Sequence, residues 1–210
     1  MSEERIVYLS RLVLDPRRKE VREALRDRYK LHQLVYSFRG DAAQRGTEDG
    51  GRLLWRLEPV KGGEPPVILM LSPGELSRES YERRGEDWPV QQARTSGLLL
   101  RIPAGVYAFR IEANPIRRRE RSRAVPLREP MEQVAWLQER IAPLELLEVV
   151  PVRTEVYKIR KPGTQPYPLH AVLFEGRLRV PEGEEEAAKR LFLEGVGRGK
   201  AMGLGMLSLR

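Results

Sequence analysis

The 210-residue sequence predicts an α+β protein of two tandem ferredoxin-like (RRM-like) domains, each ordered β-α-β-β-α-β. Three observations predict it. An apolar, β-branched run at the start is followed by a helical pattern. Two short strand patterns, an irregular stretch and another apolar run complete the first set. After the turn signal Pro103–Gly105 the same order begins again. The expected domains are residues 1–103 and 104–210.

Ile6 to Leu14 is nearly continuously apolar and reads as a central strand. Asp15 followed by Pro16 reads as a helix start, because proline at the first helical position forfeits no hydrogen bond. Val21, Leu25, Leu31, Val35 and Phe38 recur at helical spacing, and Asp27 can divide the stretch by capping a second helix. After a polar loop, Arg52 to Glu58 and Pro66 to Ser72 read as strands. Residues 73–97 read as irregular with room for a short helix, and Leu98 to Ile102 as a strand.

In the second half, Val106 to Ala113 reads as a strand. A helix is expected with Met131, Val134, Leu137 and Ile141 on one face. Long strands are expected near Leu144 to Ile159 and Tyr167 to Val180, joined by the hairpin tip "RKPGTQPYP". "PEGEEEAAKRLFLEG" has acids at its start and Gly195 at its end, the polarity of a helix. "LGMLSL" closes with a strand.

The charge is unevenly spread. The net charge is +8, and the stretch from Asn114 to Arg128 carries +5 of it through Arg117, Arg118, Arg119, Arg121, Arg123 and Arg128 against Glu120. Lys158, Arg160 and Lys161 carry the remaining +3. Concentrated positive charge suits a polyanion, RNA or DNA; a solvated arginine loop is the plain alternative. A lipid surface fits less well, because these segments lack an apolar face. No run of eighteen apolar residues is present, and the N-terminus reads as a strand rather than a signal peptide. Zero cysteines exclude disulfides and thiolate metal sites, so a cytoplasmic protein is expected.

Tyr29 and His32 lie at i and i+3, so their side chains are neighbours on a helix. Histidine exchanges protons near pH ~6.5, and tyrosine offers a hydroxyl to a phosphate oxygen or a 2′-hydroxyl. RNA cleaves when a base takes the 2′-hydroxyl proton and an acid protonates the departing 5′-oxygen. Structural packing of the pair is the plain alternative. His170, the other histidine, sits in an apolar strand and reads as packing. With two histidines and no HExxH or aspartate cluster, no metal and no other cofactor is expected. "GVGRGKAMGLGML" holds five glycines from Gly195 to Gly205, with Arg198 and Lys200 among them. Backbone N–H groups there could hold phosphates, or the segment could be an ordinary tight connection.

The Y-x-x-H pair, "WRLEP", "EANP" before an arginine loop, "VAWL", "AVLFEGRL" and the terminal "GVGRGKAMGLGMLSL" together resemble the CasE family. These are the CRISPR repeat-RNA endoribonucleases of type I-E Cascade. The resemblance runs from Leu9 to Leu209. It implies two ferredoxin-like domains and metal-independent cleavage at the base of a repeat hairpin, leaving a 5′-hydroxyl and a 2′,3′-cyclic phosphate. It implies that the enzyme stays on its product beside other Cascade subunits. It assigns His32 as the acid–base residue and Tyr29 as its partner. It matches Lys158, Arg160 and Lys161 to the stem-contacting hairpin, and Arg117 to Arg123 loosely to a variable basic loop. Two positions depart: Arg28 where members often have proline, and Gln33 where they often have arginine.

The rival readings are a non-catalytic RNA-binding subunit of the same fold, a duplex-DNA binder and a metal-dependent nuclease. No helix-turn-helix with a basic recognition helix supports the second.

Overall fold

A computed structural model describes residues 6–38, 52–59, 62–75, 88–117 and 124–210. Two compact units make up the chain. The first comprises Met1–Leu100, Lys158–Tyr167 and Ala201–Gly203; the second comprises Arg101–Tyr157, Pro168–Lys200 and Leu204–Arg210. The hairpin tip and three residues of the glycine-rich segment therefore group with the N-terminal sheet.

The first unit contains β1 (Ile6–Leu14), α1 (Lys19–Arg26), α2 (Arg28–Ser37), β2 (Leu54–Leu57), β3 (Val67–Ser72) and β4 (Val90–Leu99). Its sheet runs β2-β3-β1-β4, the strand order of a ferredoxin-like fold. β1 is central, pairing antiparallel with β3 (Leu12↔Ile68) and with β4 (Leu12↔Ala93). The core is formed by Leu12 and Leu14 of β1, Val21 and Ala24 of α1, Leu31, Leu34 and Val35 of α2, Phe38, Trp55 of β2, and Ile68 and Met70 of β3. Buried residues at helical spacing on α1 and α2 thus cover one face of the sheet.

Two expectations change here. The last strand is Val90–Leu99 rather than Leu98 to Ile102. Gln91, Gln92, Arg94 and Ser96 are exposed on this edge strand, so it lacks the apolar alternation that marks a half-buried one. Its register is held by backbone pairing and by a cross-strand hydrogen bond between the Ser10 and Thr95 hydroxyls at 2.9 Å. Asp15 does not cap α1; the N-cap is Arg18, without a side-chain cap bond. Asp15 Oδ1 instead accepts from the Arg17 backbone N–H at 2.9 Å, and both its oxygens bind the Arg17 guanidinium. That closes a turn between strand and helix, and it holds the Asp15 carboxyl well below the usual carboxylate range. The short helix expected within 73–97 falls mainly on residues outside the described set.

The second unit contains β5 (Gly105–Ala113), β6 (Ile116–Arg117), β7 (Val125–Pro126), α3 (Pro130–Ile141), α4 (Glu185–Glu194) and β10 (Ser208–Leu209), with all but the tip-side ends of β8 (Glu145–Ile159) and β9 (Tyr167–Val180). Its main sheet runs β10-β5-β9-β8, the same order again, and β6 and β7 form a separate ribbon. β5 and β9 pair antiparallel from Gly105↔Val180 to Ala113↔Val172. The buried positions of α3 are Gln133, Trp136, Leu137 and Ile141, whereas Met131 is 86% exposed. The apolar face is turned from the expected one because Gln133 is inside: its side-chain amide donates to the Leu127 and Arg128 carbonyls at 3.1 and 3.3 Å. A buried amide satisfied in this way takes a place that periodicity reserves for an apolar residue. α4 begins with Glu185 and Glu186 and ends at Gly195 in the left-handed region (φ 70°).

No helix among the described residues is long and apolar enough to cross a membrane.

Candidate active site

The site begins with Asp27. α1 ends there and α2 starts one residue later. Asp27 Oδ1 accepts from the Tyr29 backbone N–H at 2.9 Å, the capping bond that lets a second helix start. Its Oδ2 lies 3.6 Å from Nη1 of Arg160, at the end of the hairpin arm. One buried carboxylate therefore fixes the start of the Tyr29–His32 helix and anchors a cation beside it. Arg160 itself remains about half exposed.

Arg28 takes the first position of α2, where proline would be favoured. Its side chain is buried, with the guanidinium 5.9 Å from the Trp55 ring centroid. Cation–π attraction against the core tryptophan gives the arginine a structural reason to stand there.

Tyr29 and His32 lie on one face of α2, ring centroids 6.0 Å apart. Tyr36, one turn further on, is closer, at 4.2 Å and tilted by 58°. His32 is thus flanked on both sides by tyrosines, and the i+4 spacing of Tyr36 is the signal that identifies it in the sequence. The ring is half-buried; Nδ1 is closed off from solvent and has no hydrogen-bond partner. Burial pushes the His32 pKa below its ordinary 6.5, and a hydrogen bond to the Ala201 backbone pulls in the opposite direction. The neutral imidazole therefore dominates at pH 7, the form able to accept a proton.

The hairpin arm ends in a defined turn. Lys161-Pro162-Gly163-Thr164 has proline second, glycine third at φ 73°, and Thr164 N–H donating to the Lys161 carbonyl at 3.2 Å. That is the residue order of a type II turn. Lys158, Arg160 and Lys161 are all exposed on this arm.

The other basic residues are placed differently. Arg117 lies on β6 in the second unit, and its Nη2 meets Glu132 Oε1 at 2.9 Å. Arg118, Arg119, Arg121 and Arg123 lie outside the described residues. Arg198 is exposed and Lys200 half-buried, both in the second unit. The glycines around them have packing reasons of their own. Gly197, Gly203 and Gly205 all lie at positive φ. A Cβ at Gly197 would sit 2.8 Å from the Trp136 ring, and one at Gly205 would sit 2.4 Å from the Val196 carbonyl oxygen. A Cβ at Gly203 would sit 2.6 Å from the Trp55 ring. These positions demand glycine before any phosphate is considered.

Among the described residues, no group of three or more His, Asp or Glu side chains could hold a metal ion.

The family model described as CRISPR associated protein matches residues 7–210. The chain is 36% identical to the CRISPR-associated endoribonuclease Cse3 of Thermus thermophilus, over 97% of this chain and 99% of the relative. The chain belongs to the CasE family of CRISPR-associated proteins. Within that family it is 26% identical to the Cascade subunit CasE of Escherichia coli, over 97% of this chain and 98% of the relative. A solved structure of Thermus thermophilus Cse3, bound to an RNA representing a pre-cleavage complex, matches with a TM-score of 0.80 at 34% identity. It covers 97% of this chain and 98% of that one. That likeness runs over nearly the whole chain, and the fold is that of two tandem ferredoxin-like domains.

Proposed function

We propose that this CasE-family protein is an endoribonuclease that binds a CRISPR repeat-RNA hairpin and cuts it at the base of the stem. His32 acts as the acid–base residue and Tyr29 as its partner. In the reaction a base takes the proton from a 2′-hydroxyl, O2′ forms a bond to the adjacent phosphorus, and the bond from phosphorus to the 5′-oxygen breaks. That oxygen leaves with a proton. The products are a 2′,3′-cyclic phosphate and a 5′-hydroxyl, and no metal takes part. The observation that carries the reading is the capped α2 helix, on which a neutral, half-buried His32 lies 6.0 Å from Tyr29 in a chain 36% identical to a named endoribonuclease.

Cations supply the rest. We assign Arg160, paired with Asp27 at the start of α2, to offset charge on the phosphorane. Lys158 and Lys161 extend along the same arm to the phosphates of the stem. A-form RNA buries its base edges in a deep, narrow groove, so a basic hairpin recognises the stem through shape and phosphates. The arginines of 117–123, with Arg198 and Lys200, are assigned to the remaining RNA. Because the relatives include a Cascade subunit, we assign the product-bound enzyme to such a complex, in the cytoplasm.

The test is incubation with the repeat RNA of the protein's own CRISPR array in excess chelator. The expected result is one cut, with a cyclic phosphate on the upstream fragment. Tight binding without a cut would make the chain a non-catalytic RNA-binding subunit.

A further inference from the structure

The apolar run of β1 is broken by Arg11, which is exposed although its strand is central in the sheet. Helices α1 and α2 pack on the sheet face that carries Leu12, Ile68 and Met70. Side chains alternate along a strand, so Arg11 stands on the other face. The register shows its neighbours there. Arg11 is directly opposite Arg94 of β4 on one side and Leu69 of β3 on the other, and Leu69 is opposite Arg56 of β2. One row across the four strands therefore reads Arg56, Leu69, Arg11, Arg94, all within the first unit.

The arginines of this row differ in their partners. Arg56 is buried, and its Nη2 meets Glu58 Oε1 at 2.6 Å. Arg11 and Arg94 are both exposed, and neither makes an ion pair or a side-chain hydrogen bond among the described residues. Residues directly opposite on neighbouring strands have Cβ atoms about 5 Å apart, and like charges there destabilise the sheet. The next residues on this face of β4, Gln92 and Ser96, are exposed and uncharged, so they do not offset the repulsion.

Two guanidinium groups side by side, without a carboxylate, present the charge and the forked N–H donors that suit a phosphate. No aromatic side chain stands on this face of β1 or β4 to stack a base, so the pair suits the backbone of a nucleic acid rather than its sequence. Tyr29 and His32 belong to a helix on the opposite face of the same sheet. A rigid stem held at that helix does not bend around the sheet, whereas single-stranded RNA can pass over the edge strand β4.

We propose that Arg11 and Arg94 clamp a phosphate of single-stranded RNA outside the repeat hairpin, a site that rests on repeat RNA being the substrate.

The test measures RNA binding by the full chain at several salt concentrations. One repeat RNA keeps single-stranded flanks on both sides of its hairpin and has hydrogen in place of the 2′-hydroxyl at the cut, so that it stays whole. The other is trimmed to the stem-loop. Wild type is compared with Arg11→Gln, Arg94→Gln and Arg94→Glu. On the flanked RNA each variant is expected to bind about 10-fold more weakly, the scale of one lost hydrogen bond to a charged group. The slope of log affinity against log salt should shrink by about 0.7, the value for one single-strand phosphate. On the trimmed RNA all four proteins are expected to bind alike.

Arg94→Glu adds a readout of its own. It sets an acid opposite Arg11, so its Tm is expected to equal or exceed that of wild type while its binding to flanked RNA falls. A purely structural role for Arg94 would not separate the two. Equal losses on both RNAs would overturn the proposal, because the stem would then be the ligand. Unchanged affinity of every variant for flanked RNA would overturn it too, and would leave the pair to an acidic protein surface. Those outcomes leave the repeat-RNA reading standing; wild type that binds neither RNA would defeat that reading and the clamp together.

Discussion

Replacing His32 by alanine is expected to lower the single-turnover cleavage rate by about 10²–10⁴-fold, the range for a lost general acid–base group, with RNA affinity near wild type. The ring is half-buried on α2, its Nδ1 has no partner, and the Ala201 carbonyl keeps the Trp55 indole N–H as a donor at 3.2 Å, so truncation leaves no orphaned donor or acceptor behind. Helix α2 keeps its cap at Asp27, and Arg160 keeps its anchor. The cations that attract RNA are untouched, so binding and cutting separate. Wild type should also show a pH signature that the variant lacks. Burial holds the His32 pKa below 6.5. The proton-accepting form therefore persists into mildly acidic solution, and the wild-type rate should fall only as pH drops through that lowered value. In His32→Ala this limb should disappear. A radiolabelled repeat RNA, assayed for binding by gel shift and for cleavage under single turnover, checks both.

The second large effect concerns stability. Gly176 lies on β9, in the segment "AVLFEGRL", and a Cβ there would sit 1.9 Å from the Glu148 carbonyl oxygen and 2.9 Å from Val149 Cα. Both are backbone atoms of β8 and cannot swing aside as a side chain can. Gly176→Ala must therefore push β8 and β9 apart at that point. Overpacking typically costs 1–3 kcal/mol, and an immovable neighbour places this case at about 3 kcal/mol. For a chain of this size the corresponding fall in Tm is about 6–12 °C, measurable by calorimetry. Because β8 and β9 form the arm whose tip carries Lys158, Arg160 and Lys161, weaker RNA binding should accompany the loss. A Gly176→Ala protein with wild-type Tm would show that the strands do not approach so closely.

Much of this fold is legible wherever a strand has one face buried. β1, β3, β5 and β9 announce themselves by apolar runs, and Asp27 between two helical patterns marks the break between α1 and α2. β4 is illegible for the opposite reason: at the sheet edge, Gln91, Gln92, Arg94 and Ser96 give periodicity nothing to detect. α3 misleads because Gln133 is inside and Met131 outside, an inversion decided by two carbonyls at the end of the preceding loop.

The site divides in the same way. Tyr29 and His32 share a helical turn, and local spacing shows them as neighbours. Tyr36 follows the same rule at i+4 and was legible too. The Trp55–Ala201 bond spans 146 residues and the Arg160–Asp27 pair joins a hairpin tip to a helix cap. Neither has a local signature. The glycine-rich segment suggests a phosphate loop from composition, yet Gly197, Gly203 and Gly205 each answer to a neighbour that a Cβ would strike.

The central claim is that the RNA's own 2′-hydroxyl is the nucleophile and His32 manages its proton. The most direct measurement replaces the 2′-hydroxyl by hydrogen at the single nucleotide 5′ to the cut, with the rest of the repeat RNA unchanged. The account predicts binding as tight as to the all-ribose RNA and no cleavage there. Cleavage of the deoxy-substituted RNA at the same bond would require another nucleophile, water above all, and would contradict it.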